Sequence, residues 1–139
     1  MADIFDKIIA GEIPAYTVYE DDDVLAFLDL SQITPGHTLV VPKTHVADIF
    51  EYDEELAARV LAKLPKIARA IKASDPAILG MNIVANNGAA AGQSVMHSHW
   101  HLLPRYADDG FVIPAPDHSA AFDADKYQAL AANIAAHLE

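Results

Sequence analysis

Between Val95 and Arg105 the chain reads VMHSHWHLLPR, which sets His97, His99 and His101 at every second position. With 7 histidines in 139 residues, independent placement gives about a 2% chance of one such triplet anywhere, a prior from composition alone. The spacing constrains the backbone. On a strand, residues i, i+2 and i+4 share one face. On a helix, His97 and His101 would be neighbours and His99 would point away. Val95, Trp100, Leu102 and Leu103 favour a strand, and Pro104 is positioned to end it. A strand over 95–103 is expected, with all three imidazoles on one surface.

The rest of the chain supplies partners for that strand. Residues 3–10 read as a short helix, capped by Asp3 and stopped at Gly11. Strands are expected over 16–20, 24–30 and 37–42, and residues 80–88 read as a strand running into a loop. From Asp53 to about Lys72, apolar residues recur at steps of three and four. That is one amphipathic helix, kinked where Pro65 removes the bond to the Leu61 carbonyl. A last helix is expected near 125–138, with Tyr127, Leu130, Ile134 and Leu138 facing inward. No repeat or long linker divides the chain, so residues 1–139 are expected to form one domain.

Composition excludes some functions. There is no cysteine, so disulfides and thiolate metal sites are ruled out and a reducing, cytoplasmic setting fits. The N-terminal residues lack a basic segment followed by an apolar one, so no signal peptide is expected. No apolar run has the length of a membrane span. A net charge of −11 argues against nucleic-acid or anionic-membrane partners. A small anionic ligand stays compatible with that charge.

The triplet admits three chemistries. A metal site is the first, but His97 and His101 would lie about 13 Å apart on one extended strand. Zinc needs ring nitrogens at about 2.0–2.1 Å in a tetrahedron, so a third ligand would come more naturally from another strand. The second is nucleophilic catalysis: a neutral imidazole attacks phosphorus through one nitrogen while the other holds its proton against an acceptor. The third is a set of half-buried histidines satisfied by hydrogen bonds. The preceding loop, NNGAAAGQS at 86–94, favours the second. Gly88 and Gly92 allow its amides to turn toward an anion, and Gln93 and Ser94 add donors.

The segment from His97 to Leu103 resembles the motif of the histidine triad (HIT) family, His-φ-His-φ-His-φ-φ with φ apolar. Ser98 departs from it at the first φ. DIFDKIIAGEIPA, VLAFLDLSQITPGHTLVVPKTHV and ANNGAAAGQSVMHSHWH resemble Hint-branch and bacterial HIT proteins in the same order, over about residues 3–105. Residues 106–139 form a C-terminal extension that short Hint-branch proteins lack. The resemblance implies an α+β fold with an antiparallel sheet of about five strands, a long helix packed on it, and two subunits pairing into a homodimer.

The resemblance also implies roles. His99 resembles the nucleophile that carries a nucleoside monophosphate, and His101 the residue that contacts the α-phosphate and assists the leaving group. His97 supports the row, and His37 is a buried support residue beside it. Asp29 resembles the carboxylate that accepts from the ribose hydroxyls. Asn86, Gln93 and Ser94 resemble phosphate and leaving-group contacts. Phe5, Ile8, Phe27 and Leu30 resemble the apolar slot for a purine base. His45, His118 and His137 read as surface residues. The activity implied is hydrolysis or transfer at the α-phosphate of a nucleoside phosphoramidate through a nucleotidyl-histidine, with no cofactor and no metal. The alternatives are a dinucleoside polyphosphate hydrolase, a zinc-binding protein, or a nucleotide-binding interaction module without chemistry.

Overall fold

The computed structural model describes residues 2–139. Its centre is a five-stranded, wholly antiparallel sheet in the order β1-β2-β3-β5-β4. The strands are β1 (Thr17–Glu20), β2 (Val24–Leu28), β3 (Thr38–Pro42), β4 (Gly80–Val84) and β5 (Trp100–Arg105). Tight turns at 21–23 and 29–37 bring β1, β2 and β3 together in sequence. The Asp21 carboxylate builds the first turn by accepting from the Asp23 and Val24 amides.

Both faces of β2 and β3 are covered, which explains their unbroken apolar runs. Val24, Ala26, Val40 and Leu102 meet α2 (Glu54–Leu61) and α3 (Leu64–Ala73) through Leu56, Val60, Leu64, Ile67 and Ile71. Leu25, Phe27, Leu39 and Val41 meet Phe5 of α1 (Ile4–Ile9) on the other face. Each large apolar side chain so buried contributes roughly 1.5–3 kcal/mol. His101 pairs with Leu39 across the β3–β5 ladder. It therefore emerges on the α1 face, opposite Leu102.

Three expectations need correction. The single kinked helix is two helices, because Pro65 sits in the first turn of α3. A proline there loses no intrahelical bond, so the chain restarts at Leu64 after a two-residue turn. Next, β5 begins at Trp100 and runs through Pro104 to Arg105. Pairing with β3 stops at Leu102, so Pro104 has no bond to lose on that side. Finally, α4 (Ala124–Ala136) buries no residue. Tyr127, Leu130, Ile134 and Leu138 are all exposed, because among the described residues no helix or strand packs over them, and only the Phe122 ring stacks on Tyr127. No helix among the described residues is long and apolar enough to cross a membrane.

Candidate active site

Only His101 of the triplet lies in the sheet. His97 ends a bend at 95–97, and Ser98 and His99 lie in the irregular stretch that leads from it into β5, where hydrogen bonds outside the ladder fix them. The Ser98 amide donates to the Val46 carbonyl at 2.7 Å, and the Ser98 hydroxyl pairs with the Tyr52 hydroxyl at 2.8 Å. The rings still make one row on the α1 face. Phe5 stands edge-on to both His97 and His99, with centroids 5.9 and 5.0 Å away. The His99 and His101 rings are 5.1 Å apart.

The hydrogen bonds fix the tautomers. His99 Nδ1 lies 2.8 Å from the His97 carbonyl. A carbonyl only accepts, so Nδ1 carries the proton and Nε2 keeps its lone pair. His97 Nε2 lies 2.9 Å from the Pro42 carbonyl, so there Nε2 carries the proton. The Ile33 amide donates to His37 Nδ1, which leaves the His37 proton on Nε2. That proton is donated to His101 Nδ1 across 2.9 Å. The neutral His101 ring then presents Nε2–H outward. Burial holds His37 below the usual histidine range, against the pull of Asp29. Burial, with His99 and His37 adding to it, pushes His101 down to about 4. Both rings are therefore neutral near pH 7.

Beside the row lies an apolar cavity of about 510 Å³, lined by Phe5, Ile8, Phe27, Asp29 and Leu30. These are five of the predicted binding residues. Leu30 is exposed at its rim. Sequence reasoning missed Ile4, Ile13, Pro14, Ala15, Tyr16, Leu28 and Leu39, which complete the lining. The clue was the IPAY segment that follows α1. Asp29 stands at the polar end. Burial works against its charge, but the Ser31 hydroxyl and amide hold its carboxyl below the ordinary range. Both Ser31 groups bond to Oδ1, at 2.5 and 2.8 Å, which leaves Oδ2 available as an acceptor.

The glycine loop is built differently from the expectation. Gly88 and Gly92 have φ of +93° and +92°, the left-handed region that glycine adopts without strain. Their amides are not turned outward, however. Gly88 N–H donates to Gln93 Oε1 and Gly92 N–H to the Ala89 carbonyl. Gln93 is buried, and its Nε2 donates to the Ala47 and Val95 carbonyls at 2.5 and 3.0 Å. Its side chain braces the loop. Ser94 is exposed at the mouth and Asn86 is half-buried.

Residues 10–108 match the profile of the HIT domain family. The chain belongs to the HIT family. It is 49% identical over 136 residues to the Bacillus subtilis protein called Protein hit, covering 97% of this chain and 93% of that relative. A crystal structure of a HIT family member from Bacillus subtilis superposes with a TM-score of 0.96 at 47% identity, covering 100% of this chain and 99% of the other. The Arabidopsis thaliana protein named adenylylsulfatase HINT3 is 40% identical over 106 residues, which is 76% of this chain and 53% of that relative. The HIT family is a superfamily of nucleotide-binding hydrolases and transferases. The α+β architecture and five-stranded antiparallel sheet expected from the sequence are those of the HIT fold.

Proposed function

We propose that this HIT chain hydrolyses nucleoside phosphoramidates, or transfers their nucleotidyl group, through a covalent nucleotidyl-His99. One observation carries the reading: the His99 Nδ1–H rests on the His97 carbonyl at 2.8 Å. That bond leaves Nε2 unprotonated and oriented, which is the state a nitrogen nucleophile requires.

The base enters the slot beside Phe5 and Phe27, whose volume is in the range of small-molecule pockets. Asp29 Oδ2 accepts from the ribose hydroxyls, and the α-phosphate reaches the row. His99 Nε2 then attacks phosphorus, and the bond from phosphorus to the amine nitrogen breaks. The nitrogen departs as an amine, its proton relayed from solvent through Ser94 at the mouth, while the neutral His101 Nε2–H donates a hydrogen bond to the α-phosphate beside it. Water then attacks phosphorus, the bond from phosphorus to His99 Nε2 breaks, and the nucleoside monophosphate and neutral His99 are released while the proton passes back to solvent through Ser94. His37 holds the tautomer of His101, and His97 supplies the carbonyl that orients His99. Gln93 keeps the loop in place, with Asn86 and Ser94 toward the phosphate. No step requires a cofactor.

The leaving group decides between substrate classes. A dinucleoside polyphosphate expels a group with several negative charges, which calls for cations nearby. Arg105 is committed to Asp109, Asn82 and the Phe111 carbonyl. Lys43 is paired with Glu20 at 2.7 Å. Neither cation is free, so an amine leaving group is favoured. Adenosine phosphoramidate and diadenosine tetraphosphate, assayed at matched pH and salt, test this. We expect kcat/KM to favour the phosphoramidate by about tenfold or more, roughly 1.4 kcal/mol. Equal constants, or a polyphosphate advantage, would overturn it. The same reading includes a homodimer, in which a second copy covers the apolar face of α4.

A further inference from the structure

Taking His101 as the ring that donates to the α-phosphate, as proposed above, we infer that Gln32 is a positioning residue for the site. Its side-chain amide locks the 29–37 turn so that the Ile33 amide is held on His37, and through His37 it sets which nitrogen of His101 carries the proton.

The turn begins where the sheet stops. The β2–β3 ladder ends at the pair Leu28 and Thr38, so Asp29 and His37 stand side by side just beyond it. The carboxylate that meets the ribose and the imidazole behind His101 thus close the two ends of one loop, with Asp29 Oδ1 and His37 Nδ1 3.9 Å apart. The main chain alone holds this loop lightly. The Asp29 amide donates to the His37 carbonyl and the His37 amide to the Thr34 carbonyl, both at 3.0 Å.

Gln32 fills the inside of the turn. It is half-buried. Its Nε2 donates to the carbonyls of Asp29 and His37 at 2.6 and 2.8 Å, and its Oε1 accepts from the Gly36 amide at 2.8 Å. Carbonyls only accept and a backbone N–H only donates, so this side-chain amide has one possible orientation. Both of its N–H donors are spent, and both are spent on the two residues that serve the site.

The backbone supplies a second observation. Gln32 has a φ of +44°, in the left-handed region that a residue with a Cβ enters at a cost. Glycine or asparagine is the ordinary choice there. Glycine has no side chain to span the turn, and asparagine is one methylene shorter. The left-handed step also turns the chain so that the next amide, that of Ile33, faces back and donates to His37 Nδ1 at 3.3 Å. This bond selects the tautomer, because a ring nitrogen that accepts leaves the proton on the other. His37 Nε2–H is then donated to His101 Nδ1 at 2.9 Å, and His101 Nε2–H is left for the phosphate.

At 3.3 Å the Ile33 bond is long, so it tolerates little further movement. A proton moved to His37 Nδ1 would make His37 Nε2 an acceptor. His101 would then keep its own proton on Nδ1, and the reacting face would lose its donor. Gln32 acts on the chemistry without touching substrate. Because the same amide holds Asp29, one side chain couples ribose recognition to the phosphate contact.

Nitrogen NMR of the isotope-labelled, substrate-free protein tests this. His37 and His101 should each show a single protonated ring nitrogen, Nε2. Gln32→Glu keeps the shape but sets a carboxylate oxygen against two carbonyls. Gln32→Gly removes the side chain and accepts the φ without strain, so it serves if the first variant fails to fold. Either variant should move the His37 and His101 signals toward a mixture of tautomers. His97 and His99, which rest on the Pro42 and His97 carbonyls, should stay in place. With adenosine phosphoramidate, kcat should fall about tenfold or more, as misplacement of a reacting group does. The ratio of ribo- to deoxyribonucleotide kcat/KM should fall with it. The spectra need no substrate, so they decide the role of Gln32 even if the phosphoramidate reading fails. Unchanged His37 and His101 signals in both variants, or equal disturbance of all four rings, would overturn the proposal.

Discussion

α3 and α4 carry similar apolar spacing and meet opposite fates. In α3, Leu64, Ile67 and Ile71 are buried against the sheet. Along α4, Tyr127, Leu130 and Ile134 are 52, 45 and 61% exposed. Both helices have capped or proline-marked starts, and both are ordinary helix formers. What differs is the element opposite: α3 is linked by short connections to strands that need cover, whereas α4 follows a stretch from 112 onward in which every residue is exposed. Periodicity reports which face of a helix is apolar. It does not report what that face meets.

The largest effect belongs to the site that the buried elements hold. His99→Asn should reduce turnover by about 1000-fold or more, some 4 kcal/mol in barrier, while Tm moves by only a few degrees. A variant keeping more than about a tenth of the rate would remove His99 from the nucleophile role.

Next in size is the packing contrast itself. Ile67→Ala should cost about 2–5 kcal/mol in urea unfolding, as buried truncations do. Ile134→Ala at high dilution should cost less than about 0.5 kcal/mol, as surface changes do. Similar costs for the two would mean that α4 is packed in solution. Ile134→Asp sharpens the same point. Sedimentation of the parent protein at micromolar concentration should give twice 15.0 kDa, and this variant should shift toward the single chain. A parent that sediments as one chain would remove the partner from α4.

Smaller effects lie in the site's tuning. Asp29→Asn should bring the ratio of ribo- to deoxyribonucleotide kcat/KM close to one, from a parent ratio of about ten, or 1.4 kcal/mol. The smallest is a pH slope. His101 is held at about 4 against an ordinary 6.5. Between those values the unfolded chain binds a proton that the folded chain refuses. Stability is therefore fully present above pH 6.5 and declines as pH falls toward 4. His101→Gln should flatten that part of the profile, and an unchanged slope would contradict the low value.

Much of the fold was legible because it rests on local patterns. The Asp3 cap and the five strands follow from capping, alternation and the turns between them, whereas the apolar slot around Phe5 and Phe27 came only from the resemblance to the family. The triad bend was misread as strand, because alternation marks a shared face whatever holds it. Here side-chain bonds to the Pro42 and His97 carbonyls stand in for a ladder. Pro65 was legible as a disruption, but its outcome depended on whether it fell inside a helix or at its start. The Gly88–Gly92 amides looked free because nothing in sequence shows that Gln93 folds back on them. His45 was read as surface and is exposed, but its ring also stands against Asp3 and Asp6, which a residue alone in sequence does not announce. Its neighbours Asp3 and Asp6 lie some 40 residues earlier, and His97 about 50 later.

The partner of His99 Nδ1 has a consequence for the lifetime of the proposed intermediate. A peptide carbonyl is neutral, unlike the carboxylate that often backs a catalytic histidine. When phosphorus bonds to Nε2, the ring becomes a cation with no fixed anion against it. Such a ring holds its nucleotidyl group loosely and surrenders it readily to water. Charge that a carboxylate would have absorbed is instead kept as reactivity, so the second half of the cycle should be no slower than the first. In a single-turnover experiment, little modified protein should accumulate.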